Sequence, residues 1–248
     1  RFNHRIRVWW MMCAILVAAF LLGRVVTVCL FGLVSFWALR EFVTMTPTRR
    51  GDHRTLFWVF FVITPAQYVL VGLHWDLYGL YSIAIPVYAF LFVPARIAIS
   101  GDPRRFLERS AKIQAGLFIT VYALSYAPAL LNLRLARSDG TVWVDEASHL
   151  GNAGLLFYFI LIAQLADVLQ FAWGRLVGRR VIAPEISASR TWEGFFAGVT
   201  SATLIGALLW WATPFRFWEA ACMSLVVAVA AFAGNMVMYA IKRDRGVA

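Results

Sequence analysis

Eight long apolar segments follow one another along the chain, and they constrain its fold more than any other feature. A helix needs about 20 mostly apolar residues to cross a bilayer. Strands of a membrane barrel would be half as long and would alternate polar with apolar residues, which these segments do not. We therefore predict an all-α, polytopic helical membrane protein with about eight transmembrane helices, at residues 8–23, 25–42, 56–73, 77–95, 113–132, 150–173, 193–213 and 218–241.

The composition excludes the soluble classes of protein. Hydrophobic residues make up 61% of the 248 residues and charged residues only 15%, whereas soluble domains have roughly 45–50% and about 25%. The sequence shows no soluble domain, internal repeat or low-complexity tract. We therefore expect a single integral membrane domain over residues 1–248.

The net charge of +10 is distributed as in a membrane protein. If the N-terminus is cytoplasmic, the predicted topology puts most of the 23 Lys and Arg residues on the cytoplasmic side, as the positive-inside rule requires. We therefore expect a multi-pass protein with a cytoplasmic N-terminus, contacts with membrane lipids and no nucleic-acid partner. The exceptions on the outer side are Arg24, Arg134, Arg137 and Arg216.

One carboxylate lies inside the sixth apolar segment. Asp167 follows Gln164 and precedes Gln170 at spacings of three, which predicts that the three side chains share a helix face. An ionisable side chain at membrane depth is costly and by default marks a functional site. The alternative is a structural carboxylate that pairs with an arginine or a helix-end amide. We favour the functional interpretation because a basic segment follows within two helical turns.

That basic segment, residues 174–194, combines glycines, hydroxyl side chains and four arginines. The N–H groups of a guanidinium can donate paired hydrogen bonds to the oxygens of a phosphate. We expect Ser187 or Ser189 to cap a helix that begins near Thr191, so that free N–H groups point at an anion. A solvated, lipid-facing loop is the alternative interpretation. The arginines are Arg175, Arg179, Arg180 and Arg190.

The last apolar segment carries one polar residue and ends in charges. Asn235 lies inside the segment, and Lys242, Arg243 and Asp244 follow at its cytoplasmic end. A positive-inside anchor is the alternative to a functional role. Taken alone, these residues predict a site for phosphate or an anionic lipid at the cytoplasmic membrane face.

These motifs resemble those of the phosphatidate cytidylyltransferase family, in its bacterial branch. Residues 187–194, read as Ser-Ala-Ser-Arg-Thr-Trp-Glu-Gly, are similar to the family's Ser-Pro-Lys/Asn-Lys-Thr-Trp-Glu-Gly run. Residues 167–175 and 234–244 match two further elements of the family. The family's C-terminal signature is not among the 248 residues, so we expect the chain to be a piece of a longer protein. The departures from the family pattern are Ala188, Ser189, Asn235 and Tyr239.

The resemblance implies transfer of a cytidylyl group from CTP to phosphatidic acid, giving CDP-diacylglycerol and pyrophosphate for phospholipid biosynthesis. It implies Mg²⁺ or another divalent cation as cofactor, and an active site on the cytoplasmic side of a bacterial inner membrane. It divides the chain into N-terminal helices over 1–132 and a catalytic-motif half over 150–248. The implied catalytic residues are Asp167, Lys242, Arg243 and Asp244. The implied substrate-binding residues are Arg175, Ser187, Ser189, Arg190, Thr191 and Glu193, and the implied metal ligands are Asp167, Asn235 and Asp244.

Two other functions stay open at this point. Asn235 and Tyr239 would also suit an inactive or regulatory lipid-binding paralogue, because the family pattern has Asp and Ser there. A cation- or proton-coupled transporter could use Asp167 as its ion site. Assembly as a homodimer is likewise left open.

Overall fold

The computed structural model describes residues 2–45, 49–73, 77–133 and 150–246, and these residues are predominantly helical. The chain divides into two compact units, Arg1–Leu133 and Arg134–Ala248. The prediction of an all-α membrane protein is confirmed. Within the described residues, six helical segments are long and apolar enough to cross a membrane: Arg24–Met45, His53–Gly72, Tyr78–Ala98, Phe106–Asn132, Asn152–Val177 and Phe217–Asp244.

The two remaining apolar segments are helical but shorter than a full span. The apolar helix near the N-terminus covers Trp10–Leu22, and the helix predicted over 193–213 ends at Leu208 after 17 residues. A 3₁₀ turn, Trp210–Ala212, follows this helix, and Thr213 is extended, with φ −127° and ψ 162°, as expected for the residue before Pro214. Arg134 and Arg137, which we predicted on the outer side, lie outside the described residues.

Among the described residues of the first unit, eight segments are α-helical. Three π-helical turns, Val59–Ile63, Ala84–Ala89 and Phe118–Tyr122, join consecutive helices into continuous segments. Gly23, with φ 104°, separates the first two helices in a backbone conformation that suits glycine. The helices are α1 Phe2–Leu22, α2 Arg24–Met45, α3 His53–Trp58, α4 Thr64–Gly72, α5 Tyr78–Ile83, α6 Phe90–Ala98, α7 Phe106–Leu117 and α8 Ala123–Ala129, with 3₁₀ turns at Arg50–Asp52 and Leu130–Asn132.

A buried ion pair joins the turn before α3 to α7. The side chains of Arg109 and Asp52 are 6% and 1% exposed, and Arg109 Nη2 lies 2.5 Å from Asp52 Oδ1. Arg109 Nε also donates to Asp52, and Nη1 donates to the backbone oxygens of Asp102 and Arg104 at 3.1 Å. All three guanidinium nitrogens therefore have acceptors, which is what a buried charge requires.

Replacing Arg109 by Met should lower the free energy of unfolding by about 3–5 kcal/mol, because Asp52 would remain buried without its partner. The control is Arg49→Met, which removes a pair with Asp102 whose side chains are 42% and 34% exposed. An exposed pair of this kind contributes about 0–1 kcal/mol. Chemical unfolding in detergent measures both changes, and equal losses would contradict a structural role for the buried pair.

Over its described residues, 150–246, the second unit consists of three long helices and a β-hairpin. The elements are α9 Leu150–Val177, β1 Val181–Ala183, β2 Ser187–Thr191, α10 Trp192–Leu208, a 3₁₀ turn Trp210–Ala212 and α11 Phe217–Asp244. We predicted only a loop between α9 and α10, so the hairpin corrects that prediction. It forms because Pro184 favours the second position of a turn, which the Ile186 N–H closes onto the Ala183 oxygen at 3.0 Å.

Helices α9 and α10 approach so closely that their backbones touch. A Cβ atom at Gly198 would lie 2.6 Å from the backbone nitrogen of Gln170, and one at Gly194 would lie 2.7 Å from the Gln170 oxygen. Gly174 lies on α9, and Gly178 follows the last residue of that helix. These two glycines are four residues apart, as are Gly194 and Gly198 on α10. This spacing of small residues allows close helix packing in membranes. It brings the start of α10 against the end of α9.

Gly198→Ala should therefore destabilise the second unit by about 1–3 kcal/mol, because the added methyl group has no space between the helices. Gly154→Ala is the matched control, since nothing lies within 4 Å of its added Cβ. It should be neutral, or stabilise α9 by up to about 1 kcal/mol. The midpoint of thermal unfolding in detergent measures both variants. The same midpoint for the two would show that the helices are not packed on Gly198.

Candidate active site

A cluster of polar side chains joins β2, α9 and α11 in the second unit. Arg190 Nη2 donates to Asp167 Oδ1 at 2.5 Å and to the Tyr239 hydroxyl at 3.0 Å. Asn235 Nδ2 donates to the same Asp167 oxygen at 2.8 Å. The Arg190 guanidinium also lies 5.5 Å from the ring centre of Tyr239. We call these four residues the Asp167 cluster.

Arg190 is the buried cation of this cluster, and part of its hydrogen-bonding capacity is unused. Its side chain is 5% exposed, whereas that of Asp167 is 39% exposed. The Nε and Nη1 atoms are buried without a partner among the described residues. Buried donors are almost always hydrogen-bonded in proteins, because an unpaired one costs free energy. These two nitrogens are therefore the ones that can bind an anion or water.

Arg190 stays protonated, and therefore positively charged, although it is buried. Burial acts to lower the pKa of the guanidinium, but the hydrogen bonds to Tyr239 and Asp167 outweigh burial and raise the pKa above its ordinary value. An arginine side chain is protonated throughout the accessible pH range in any case. The Asp167 cluster consequently keeps a fixed positive charge beside a carboxylate.

Thr191, rather than a serine, caps the helix that follows Arg190. Thr191 Oγ1 accepts a hydrogen bond from the Gly194 N–H at 3.2 Å. We predicted Ser187 or Ser189 as the cap, and this prediction is wrong because both residues lie on β2. Their hydroxyl oxygens are 3.2 Å from each other. The cap therefore sits directly beside Arg190 in sequence and fixes the turn from strand to helix.

Glu193 holds the loop after α9. Its Oε2 atom accepts hydrogen bonds from the backbone N–H groups of Arg179 and Arg180, each at 3.1 Å. The family resemblance implied a substrate-binding role for Glu193, and in the structure its carboxylate accepts hydrogen bonds from the loop backbone. Glu193 thus positions the residues that connect α9 to β1.

Several residues predicted for the site lie outside the Asp167 cluster. The Arg175 guanidinium lies 5.3 Å from the ring centre of Phe171 on α9. Arg243 Nε donates to the Glu185 backbone oxygen at 3.1 Å, which ties the end of α11 to the turn of the hairpin. Lys242 is exposed beside it. Within the described residues, none of these three cations forms a hydrogen bond or an ion pair with Asp167.

The predicted metal ligands do not converge on one position. Asn235 meets Asp167, but Asp244 lies nine residues later on α11, about 13 Å along the helix. Its carboxylate pairs with Arg245 Nε at 3.1 Å and is 68% exposed. Across the described part of the chain, no three His, Cys, Asp or Glu side chains are grouped to hold a metal. Mg²⁺, however, often uses only one or two protein ligands together with substrate phosphates, and Asp167 Oδ2 and the Asn235 oxygen fit that smaller set.

Sequence reasoning missed one member of the Asp167 cluster. Tyr239 was noted only as a departure from a family pattern, although its position four residues after Asn235 puts both on one face of α11. Gln170 is 3% exposed, and neither polar atom of its amide has a partner among the described residues. Gln164 is exposed, because each step of three residues falls about 60° short of a full turn. The predicted common face therefore does not extend from Gln164 to Gln170.

Comparison with known proteins shows the family. A profile described as "Cytidylyltransferase family" matches residues 3–248. The uncharacterized protein YnbB of Escherichia coli K12 is 32% identical over 98% of this chain and 76% of its own length. Two relatives named phosphatidate cytidylyltransferase match over less than half of their own length. The Mycobacterium leprae protein is 31% identical over 38% of this chain and 31% of itself, and the Synechocystis protein is 29% identical over 53% of this chain and 49% of itself.

No solved structure matches the chain significantly. The profile nevertheless covers nearly every residue, including the hairpin and all three helices that form the Asp167 cluster. The family resemblance inferred from the motifs is therefore confirmed. The chain belongs to the cytidylyltransferase family and is a membrane-embedded nucleotidyltransferase.

Proposed function

We propose that the protein transfers the cytidylyl group of CTP to phosphatidic acid, giving CDP-diacylglycerol and pyrophosphate. The observation that carries this proposal is the buried guanidinium of Arg190, whose Nε and Nη1 atoms have no described partner. It lies in a membrane-embedded member of the cytidylyltransferase family, and two relatives are named phosphatidate cytidylyltransferase. A lipid phosphate and a nucleoside triphosphate are anions that such a group can bind.

In this reaction an oxygen of the lipid phosphate attacks the α-phosphorus of CTP. The new bond joins that oxygen to phosphorus, and the bond from the α-phosphorus to the oxygen bridging to the β-phosphorus breaks. Pyrophosphate leaves with the electron pair. The nucleophile is already an anion, so no side chain has to remove a proton from it. The main demands on the protein are to offset repulsion between two anions and to align them.

Arg190 would offset the repulsion between the two anions, and it has separate atoms for its own anchoring and for phosphate binding. Nη2 is held by Asp167 and Tyr239, while Nε and Nη1 would bind phosphate oxygens. Asp167 would orient the guanidinium, and Ser187, Ser189 and Thr191 would add hydroxyl contacts. Lys242, Arg243 and Arg175 would neutralise further phosphate charge, and Asp244 is kept as a proposed catalytic residue. When bound, Mg²⁺ would neutralise phosphate charge, and Asp167 and Asn235 are the residues that would hold it.

We further propose that the protein lies in a bacterial inner membrane, with the N-terminus and the Asp167 cluster on the cytoplasmic side. The Arg-rich loops support this orientation through the positive-inside rule. Arg175 lies in the last turn of α9, and Arg179 and Arg180 lie directly after that helix. Association as a homodimer is a further proposal, which light scattering of the detergent complex would test.

One observation favours a second candidate, a regulatory paralogue that binds lipid without transferring a nucleotide. Asp167 Oδ1 already accepts from both Arg190 and Asn235, which leaves less of the carboxylate for a cation. The relative that matches over most of this chain is also uncharacterized. This candidate predicts lipid binding with no incorporation of CTP into lipid.

Asp167→Ala should reduce the formation of lipid-soluble product from CTP labelled at the α-phosphate by at least about 100-fold, because Arg190 would lose its anchor. Glu185→Gln is the control, since it neutralises an exposed carboxylate in the turn of the same hairpin. Its product formation should stay unchanged. Full turnover by the Asp167 variant would remove this residue from the mechanism, and no turnover by the unmodified protein would favour the regulatory paralogue.

Arg190→Ala should raise the KM for CTP by about 10- to 100-fold, the equivalent of losing about 1.5–3 kcal/mol of charge-assisted hydrogen bonding. Initial rates at varied CTP concentration measure this change. Thermal unfolding of the same sample checks that the fold is retained. An unaltered KM for CTP would mean that the unused nitrogens of Arg190 do not bind the nucleotide.

The proposed orientation can be tested by labelling single cysteines after replacing Cys13, Cys29 and Cys222. A cysteine at position 185 should be protected from a membrane-impermeant maleimide in intact spheroplasts and react after permeabilisation. A cysteine at position 216, at the opposite end of the second unit's helices, should react without permeabilisation. The reverse pattern would place the Asp167 cluster on the outer side.

A further inference from the structure

A groove beside the start of α10 shares no residue with the Asp167 cluster. It has a volume of about 610 Å³ and is lined by Arg179, Arg180, Trp192, Glu193 and Phe196. We call it the arginine groove. The proposed transfer reaction gives it no role, so its chemistry must be considered separately.

The two arginines of the groove are available for an anion. Both are exposed, and within the described residues neither guanidinium forms an ion pair at 4 Å or less. The one carboxylate of the groove, Glu193, accepts from the backbone N–H groups of both arginines at 3.1 Å. The loop is thereby fixed in place while the groove keeps an excess of positive charge. Two guanidinium groups on a backbone that is held in place are suited to phosphate oxygens.

The opposite wall of the arginine groove is aromatic. Trp192 and Phe196, one turn apart on α10, are 46% and 62% exposed. Their rings stack with centroids 6.0 Å apart and an interplanar angle of 24°. An exposed apolar wall next to free cations fits a ligand that is anionic at one end and apolar at the other.

The groove also lies beside the end of an apolar helix that is long enough to cross a membrane. The apolar segment of α9 ends at Val177, two residues before Arg179. Trp192 begins α10, whose Gly194 is packed against Gly174 of α9. The end of one apolar helix and the start of the next are therefore side by side. Trp is enriched at this boundary between water and hydrocarbon.

We propose that the arginine groove binds the phosphate headgroup of an anionic phospholipid, with an acyl chain along Trp192 and Phe196. The site goes beyond the proposed function, because it binds lipid whether or not the Asp167 cluster transfers a nucleotide. Basic residues at the membrane surface attract anionic lipid. In the arginine groove, the held backbone of Arg179 and Arg180 and the aromatic wall would also fix where the lipid binds.

The experiment is a lipid titration of the purified protein in detergent, read by native mass spectrometry. The lipids are dioleoyl phosphatidic acid, phosphatidylglycerol and phosphatidylcholine. Both anionic lipids should bind more tightly than phosphatidylcholine. The double variant R179Q/R180Q should weaken the binding of phosphatidylglycerol by about 30-fold, which corresponds to about 2 kcal/mol for two charges, whereas phosphatidic acid keeps its proposed substrate site at the Asp167 cluster. It should leave the affinity for phosphatidylcholine unchanged.

The control is R54Q/R96Q, which removes two arginines from predicted cytoplasmic loops of the first unit and should retain the binding of anionic lipid. Thermal unfolding confirms that both double variants are folded. Unchanged lipid binding by R179Q/R180Q, or an equal loss in the control, would overturn the proposal.

Soluble competitors identify the source of the bound phosphate. Inorganic phosphate, glycerol 3-phosphate and CTP should each fail to displace the lipid, because none has an acyl chain to contact the aromatic wall. Displacement by inorganic phosphate or glycerol 3-phosphate would reassign the groove to a free phosphate, and displacement by CTP would reassign it to the nucleotide. Failure of CTP transfer with retained lipid binding would reject the proposed reaction and leave the groove standing.

Discussion

The hydrogen-bonded ion pair of Arg190 and Asp167 is the interaction on which the second unit's polar centre depends. A lone carboxylate on an apolar helix would be costly, and a buried guanidinium without an acceptor would be equally so. Each charge offsets the cost of the other, because Arg190 Nη2 lies 2.5 Å from Asp167 Oδ1. Asn235 and Tyr239 add one hydrogen bond each to the pair. The hydrogen-bonding capacity of the guanidinium is not fully used, because Nε and Nη1 of Arg190 remain without a described partner. These two buried donors are the atoms to which we assign the proposed binding of phosphate.

The backbone around the pair brings Arg190 to Asp167. Glycines on α9 and α10 allow the two helices to touch, so the hairpin that connects them is held against the end of α9. Thr191 caps α10 directly after Arg190, and Arg243 ties α11 to the hairpin turn. Backbone contacts of this kind set the direction of a side chain more firmly than its own rotamers can. The site is therefore a product of helix packing as much as of its charged residues.

The sequence predicts the features of this protein that depend on local composition. The apolar helices and the family follow from residue types and short spacings, and so does the position of Asp167 on an apolar helix. The features it does not predict depend on contacts between elements. Glu193 has no local signal for bonding the backbone of Arg179, and Tyr239 joins the site only because α11 packs beside Arg190. The spacing of Gly174, Gly178, Gly194 and Gly198 did carry a signal for the close helix pair, which reading for chemistry alone passed over.

Residues 190, 191 and 192 each serve a different environment, although they are consecutive. Arg190 enters the polar cluster, Thr191 closes the end of a helix, and Trp192 faces the arginine groove. A single inserted or deleted residue within β2 would shift all three side chains by one position at once. The turn at residues 184–186 is less constrained, since its contact with α11 is a hydrogen bond from Arg243 to the backbone oxygen of Glu185. Length variation among homologues should therefore be tolerated in the hairpin turn and be excluded between the second strand and α10.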